Sequence, residues 1–201
     1  YEDIEGIAAL AKKVDHEFYT VPGRVKGKAP MITISVSCFV PKPFTAFQWE
    51  GQDTLEELVD KQNHLRDCVR GEKHIRYNWH EAKVSRIEAV FARGDRKLSR
   101  ALLEAHRMGL KFDGWDEFFD YDKWLEAFRL AGVDPAFYAN RDFGLDEVLP
   151  WDVIDCGVTK EFFRREREKA YCSKTTPNCR EHCSGCGANR LGGERTCCPH
   201  Q

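Results

Sequence analysis

The sequence lacks any hydrophobic run long enough to cross a bilayer. Its longest apolar stretches, such as residues 31–40, are far shorter than the roughly 20 residues of a membrane helix. It also lacks an excess of either charge, because 31 Lys and Arg stand against 33 Asp and Glu, for a formal net charge of −2. Proteins dedicated to nucleic acids or membrane surfaces need a basic excess to neutralise phosphates. The sequence therefore predicts a globular protein with no membrane partner, and it weighs against nucleic acid.

Cysteine is sparse in the first 171 residues and dense at the end. Three of the nine cysteines, Cys38, Cys68 and Cys156, lie singly in apolar sequence. The other six lie in the last thirty residues: Cys172, Cys179, Cys183, Cys186, Cys197 and Cys198. A secreted disulfide domain spreads its cysteines over the fold, whereas one dense cluster is typical of metal binding in a reducing compartment. We therefore expect a cytoplasmic protein.

The terminal cluster contains a C-x3-C-x2-C motif formed by Cys179, Cys183 and Cys186, with glycines at 185 and 187 that permit a tight turn. Three thiolates at this spacing favour a soft centre, either an iron–sulfur cluster or a tetrahedral zinc. The residues that can complete a zinc site are Cys172, His182 and Cys197. The metal ligands that we predict are Cys172, Cys179, Cys183 and Cys186. A tail of unligated thiols is the alternative.

Hydrophobic periodicity predicts two strands, at 31–40 and 74–80. The predicted helices cover 3–14, 54–70, 82–93, 96–108, 121–131 and 159–171, with a capping box at 53–56 and an interhelical linker at 93–96. The order strand, helix, strand indicates a parallel βαβ unit, with the helix at 54–70 crossing between adjacent strands. Two strands alone do not make a stable sheet of this kind. Their polar faces either line a ligand-binding lumen or are the solvated faces of an antiparallel ribbon.

Residues 34–49, Ile-Ser-Val-Ser-Cys-Phe-Val-Pro-Lys-Pro-Phe-Thr-Ala-Phe-Gln-Trp, resemble a late barrel strand and the following loop of radical S-adenosylmethionine enzymes. The resemblance is to the family of these enzymes that carries an N-terminal cobalamin-binding-type domain. It continues through residues 88–96, 112–115, 124–128, 138–141, 149–158, 175–180 and 183–187. Ala46 stands where the family usually has proline.

The resemblance implies the C-terminal half of such an enzyme, with an α/β fold. The last strands of a partial, TIM-like (β/α) barrel would cover residues 1–93, a helical extension 94–171 and a Cys-rich metal-binding tail 172–201. Because the chain begins without Met inside a predicted helix, and without a signal peptide, we expect a piece of a longer protein.

The same resemblance implies a radical, iron–sulfur (4Fe–4S) enzyme that uses S-adenosylmethionine on an unknown substrate. The upstream half of the same polypeptide would hold the catalytic cluster, and the N-terminal domain would bring cobalamin. The tail motif lies outside the barrel and is distinct from that cluster, so we expect this chain alone to be inactive. The residues implied to line the lumen, where the substrate or the adenosyl group would lie, are Thr33, Ser35, Ser37, Asn78 and His80. The last four are the predicted cofactor-binding residues.

A different class of function fits the same cysteines. In this alternative the tail is a non-catalytic zinc-binding module for protein or RNA. The sequence offers one local basic patch for such a partner, Arg164-Arg165 with Arg167.

Overall fold

The computed structural model describes residues 1–24 and 27–192, the last two by their backbone alone. The strands are β1 (Ile32–Val36) and β2 (Ile75–Trp79). The helices are α1 (Glu2–Thr20), α2 (Leu55–Cys68), α3 (Ala82–Ala92), α4 (Leu98–Arg107), α5 (Tyr121–Ala131), α6 (Pro135–Ala139) and α7 (Lys160–Tyr171), with a 3-10 turn at Ala188–Gly192. None of the described helices combines the length and apolar character needed to span a bilayer.

The predicted partial barrel is wrong. Over the described residues the chain is mostly helical, and its sheet consists of β1 and β2 alone, which do not close on themselves. A barrel needs further strands that pair edge to edge. In the other apolar segments of this sequence, apolar residues recur every three to four positions. These segments therefore form helices and add no strand to the sheet.

The chain divides into two compact units. Unit 1 comprises Tyr1–Phe39 and Asp53–Arg86; unit 2 comprises Val40–Gln52 and the residues from Ile87 onward. Helix α3 spans the boundary in sequence.

Unit 1 is a β1–α2–β2 unit with α1 packed against it. The two strands are parallel and adjacent, with Ile34 opposite Tyr77, so the prediction of parallel pairing through the helix between them is confirmed. One face of the sheet packs on α1 and α2 in a small core of Ala8, Ala11, Ile34, Leu65, Val69 and Ile75. Trp79, at the end of β2, is 45% exposed.

The N-terminus of α2 is capped one residue later than predicted. Thr54, rather than Asp53, accepts a hydrogen bond from the Glu57 amide, and the Glu57 carboxylate accepts from the Thr54 amide. This reciprocal pair is a capping box, and it lowers the pKa of Glu57 because the carboxylate accepts these hydrogen bonds. Asp53 is thereby left to pair with Lys61, at 2.5 Å between Nζ and Oδ2.

Unit 2 is helical and is built around two apolar clusters. The larger joins α3, α4 and α5 and includes Val90, Leu98, Ala101, Trp124 and Phe128. The smaller consists of Trp49, Phe143, Leu149 and Trp151. Helix α5 ends at Gly132, whose φ of 66° is the left-handed conformation that favours glycine at a helix C-terminus.

Candidate functional site

A cleft of about 330 Å³ lies in unit 1 at the carboxyl end of β1. Its walls come from the start of α1, from Val36–Phe39 and from the inward side of α2. The carboxyl ends of parallel strands are the usual place for ligands in α/β sheets, since the chain there leaves the sheet in loops that are free to carry polar groups. The apolar lining residues include Ile4, Ile7, Leu58, Leu65 and Tyr77.

Gln62 fixes the inner end of this cleft. Its Nε2 atom donates to the carbonyl oxygen of His80 at 2.8 Å and to the Cys38 sulfur at 3.3 Å. Burial raises the pKa of the Cys38 thiol, although hydrogen bonds with Ser85 and Gln62 act in the opposite direction. Cys38 is therefore a neutral thiol at physiological pH, and it is suited to packing against a ligand rather than to nucleophilic attack.

The rim of the cleft is charged. The ion pair of Lys61 and Asp53 lines it, together with Asp3 and the aromatic ring of Phe39, which is 52% exposed. An apolar cavity with a few polar groups at one edge is the general form of a small-molecule site. This arrangement can hold a flat, partly apolar ligand with hydrogen-bonding groups at its edge.

The four predicted adenosyl-binding residues do not all lie at the cleft. Ser35 lies opposite Asn78 in the strand register, and both are exposed. The backbone of His80 forms two hydrogen bonds beside the cleft. Its amide donates to the carbonyl oxygen of Val36, and its carbonyl oxygen accepts from the Gln62 side chain. Of these four described residues only Ser37 lines the cleft.

The sequence did not predict Gln62 and Lys61 as site residues, although its periodicity places both on the helix at 54–70. The signal for Gln62 is present, since it follows Leu58 by four residues and precedes Leu65 by three on the inward stripe of α2. A polar residue on an apolar stripe has to find a buried hydrogen-bond partner. Nothing local marks Lys61, because charged residues are ordinary on helix surfaces.

The cysteine tail, as far as Cys186, folds back on α7. Gly185 and Gly187 adopt φ values of 67° and 97°, so the tight turn predicted there is present. The carbonyl oxygen of Cys186 accepts from the Thr159 amide at 2.9 Å, at the start of α7. Cys172 follows the other end of the same helix, twelve residues along, or about 18 Å at 1.5 Å per residue.

The predicted four-cysteine metal site is consequently not assembled in this conformation. Thiolates suit soft metals, but Cys172 and Cys186 lie at opposite ends of α7. Within residues 1–24 and 27–192, no group of three or more His, Cys, Asp or Glu side chains is positioned to hold a metal ion. The site stays a prediction that requires the tail to rearrange, and Cys197 and Cys198 lie outside the described residues.

Two of the three arginines in the basic patch predicted on the last helix are paired with carboxylates. Arg164 pairs with Asp146 at 2.8 Å, and the Arg167 guanidinium pairs with Glu50 at 2.5 Å. Arg165 donates to the carbonyl oxygen of Ser184 at 2.8 Å. These arginines anchor α7 and the segment around Ser184 within unit 2, and Arg164 and Arg167 have their charges offset by carboxylates.

Comparison with known proteins finds no relative of this chain. No family model, no curated protein and no solved structure matches this chain. The resemblance to radical S-adenosylmethionine enzymes therefore remains a prediction from the motifs quoted above.

Proposed function

We propose that this chain is part of a radical S-adenosylmethionine iron–sulfur enzyme and that the cleft of unit 1 receives the adenosyl group. One observation carries the proposal. The segment 34–49, on which the resemblance rests, leaves β1 at the cleft, and its residues Val36–Phe39 form one wall.

The chemistry of the cleft supports an adenosyl ligand. Phe39 and Tyr77 offer aromatic faces on which a base can stack, and stacking of this kind is worth about 1–3 kcal/mol per base. The carboxylate of Asp53 can accept hydrogen bonds from ribose hydroxyls, and Lys61 can bind a carboxylate. S-adenosylmethionine supplies radical chemistry when it is bound beside a reduced cluster; the residues named here bind and orient it.

The isolated chain is expected to bind S-adenosylmethionine, and Phe39→Ala is expected to weaken that binding about tenfold through loss of stacking. Ligand-observed NMR or calorimetry measures the affinity. The matched control is Val59→Ala, which removes a similarly exposed apolar side chain from α2 outside the cleft. Equal affinities of the two variants, or no binding by the wild type, would contradict the proposal.

After reconstitution with iron and sulfide we expect no release of 5′-deoxyadenosine, since the resemblance assigns the catalytic cluster to the upstream half.

The tail is expected to bind one metal centre through its cysteines after rearrangement. Ligation free energy couples to folding of a small segment, so the centre can draw the thiolates together. Metal analysis and absorption spectra of anaerobically purified protein should show iron or zinc, and Cys183→Ala/Cys186→Ala should lose it. Cys68→Ala, in the core of unit 1, should keep the full metal content. Equal metal in the double variant and the wild type would rule the site out.

A further inference from the structure

Unit 2 contains a groove of about 580 Å³ that belongs to neither the cleft of unit 1 nor the cysteine tail. One wall is the start of α4 with the linker before it, and the other is the turn from α5 into α6. The volume falls within the range of small-molecule sites. The lining residues that matter here are Arg96, Lys97, Ser99, Arg100, Asp134 and Phe137.

Three cationic side chains line this groove. In the part of the chain that the structure describes, Arg96, Lys97 and Arg100 form no ion pair. Asp95 accepts instead from the Lys97 amide at 2.8 Å and from the Tyr138 hydroxyl at 3.1 Å. Like charges that share a concave surface raise the local positive potential, which a bound anion relieves.

The carboxylate that faces the same groove offsets only part of this charge. Asp134 is the N-cap of α6 and accepts from the Ala136 amide at 2.9 Å. The three cations therefore exceed the one carboxylate of the lining. This contrasts with Arg164 and Arg167 on α7, each of which is paired with an acidic residue.

An exposed aromatic ring completes the groove. Phe137 is 50% exposed and is held edge-on by Tyr138, with ring centroids 5.2 Å apart, while the Arg141 guanidinium lies 4.4 Å from its centre. The ring is thus fixed by packing although half of it faces solvent. Basic side chains beside a fixed aromatic ring are the elements with which proteins bind single-stranded nucleic acids, because phosphates meet the cations and a base stacks on the ring.

We propose that this groove binds a phosphate-bearing nucleotide, with its phosphates on Arg96, Lys97 and Arg100 and its base on Phe137. The basic and aromatic residues are about forty positions apart in the sequence, which is why no basic–aromatic pattern is visible along the chain. The nucleotide can be free or part of a short single strand, and the two sources share the chemistry recognised here.

The experiment uses the full chain and a fluorescein-labelled six-nucleotide RNA, followed by anisotropy, with ATP as a second ligand. Arg96→Ala/Arg100→Ala is expected to weaken RNA binding at least tenfold and to reduce the salt dependence by about 0.7 in log–log slope for each lost phosphate contact. Phe137→Leu is expected to weaken binding about tenfold while leaving the salt slope unchanged. The matched control, Arg107→Ala/Arg129→Ala, removes two arginines paired on the surface of α4 and α5 and should bind like the wild type.

Tight RNA binding with weak ATP binding identifies a strand as the ligand, and comparable occupancy by ATP identifies a free nucleotide. The proposal is overturned if neither ligand binds, or if the control variant loses as much affinity as the groove variant. It is also overturned if Phe137→Leu binds normally, or if hexaglutamate or inorganic phosphate competes as well as the nucleotide. Circular dichroism of each variant separates loss of binding from loss of fold.

Discussion

Replacing Arg93 with alanine is expected to lower the free energy of unfolding by about 3–5 kcal/mol, because three buried carbonyl acceptors lose their charged donor and a cavity is left. Arg93 is fully buried, and its guanidinium donates to the carbonyl oxygens of Tyr138, Ala139 and Arg141 at 2.5, 2.8 and 2.6 Å. Its Cζ atom also lies 4.3 Å from the centre of the Phe143 ring. The alanine variant leaves three acceptors of one short segment without their charged donor, inside a cavity.

Burial, together with repulsion from Arg141, lowers the pKa of Arg93 to about 10. The side chain is therefore still charged at neutral pH, and these hydrogen bonds remain charge-assisted, the stronger class of hydrogen bond. Arg93→Lys is expected to recover little of the loss, because one ammonium group cannot reproduce the planar fork that reaches three carbonyls.

Urea unfolding followed by tryptophan fluorescence measures the Arg93 effect, since four of the five tryptophans lie in unit 2. Arg107→Ala is the control, because this exposed arginine pairs only with Glu104 on its own helix and its removal should cost about 0.5 kcal/mol or less. An unfolding midpoint for Arg93→Ala within error of that control would show that the buried guanidinium does not hold unit 2 together.

Replacing Gly51 with alanine is expected to cost about 3 kcal/mol, the upper end of the usual range for overpacking. A Cβ atom at this position would lie 2.2 Å from the carbonyl oxygen and 2.8 Å from the carbonyl carbon of Asn140. Both atoms are backbone, so no side-chain rotation relieves the clash. The segments are also tied together by hydrogen bonds from the Gly51 amide to Asp142 and from the Gln52 amide to Ala139, at 2.7 and 2.8 Å.

Gly6→Ala is the same substitution at a position where it is expected to raise, rather than lower, the free energy of unfolding. Gly6 lies inside α1 with no atom within 4 Å of the added Cβ, so alanine should stabilise the helix by about 0.5–1 kcal/mol. Thermal and urea unfolding of the two variants measures both effects. If Gly51→Ala is as stable as the wild type, the close approach of residues 51 and 140 is not a feature of the folded protein.

The sequence by itself determined the local elements of this protein. The period-two strands, the helix between them and the glycine stop at Gly132 depend on residues within a few positions of one another, and each lies close to its predicted place. The capping box lies only one residue from its predicted position, because both Asp53 and Thr54 are residue types that cap helices. The path of the chain into α2 places Thr54 at the N-cap. The tight turn at Gly185 and Gly187 is likewise a local property.

The tertiary structure decided what these elements assemble into and which polar residues are buried. The prediction of a partial barrel was wrong because the number of strands in a sheet depends on which segments meet in space. Periodicity indicates only whether each segment is a helix or a strand. Arg93 lies in the interhelical linker, as predicted, but it is fully buried in unit 2, and its acceptors lie 45 to 48 residues away. Gln62 donates a hydrogen bond to a backbone carbonyl 18 residues away. Phe137 and the three basic residues come to line one groove only through folding. Contacts at such separations are set by packing, which no short window of sequence contains.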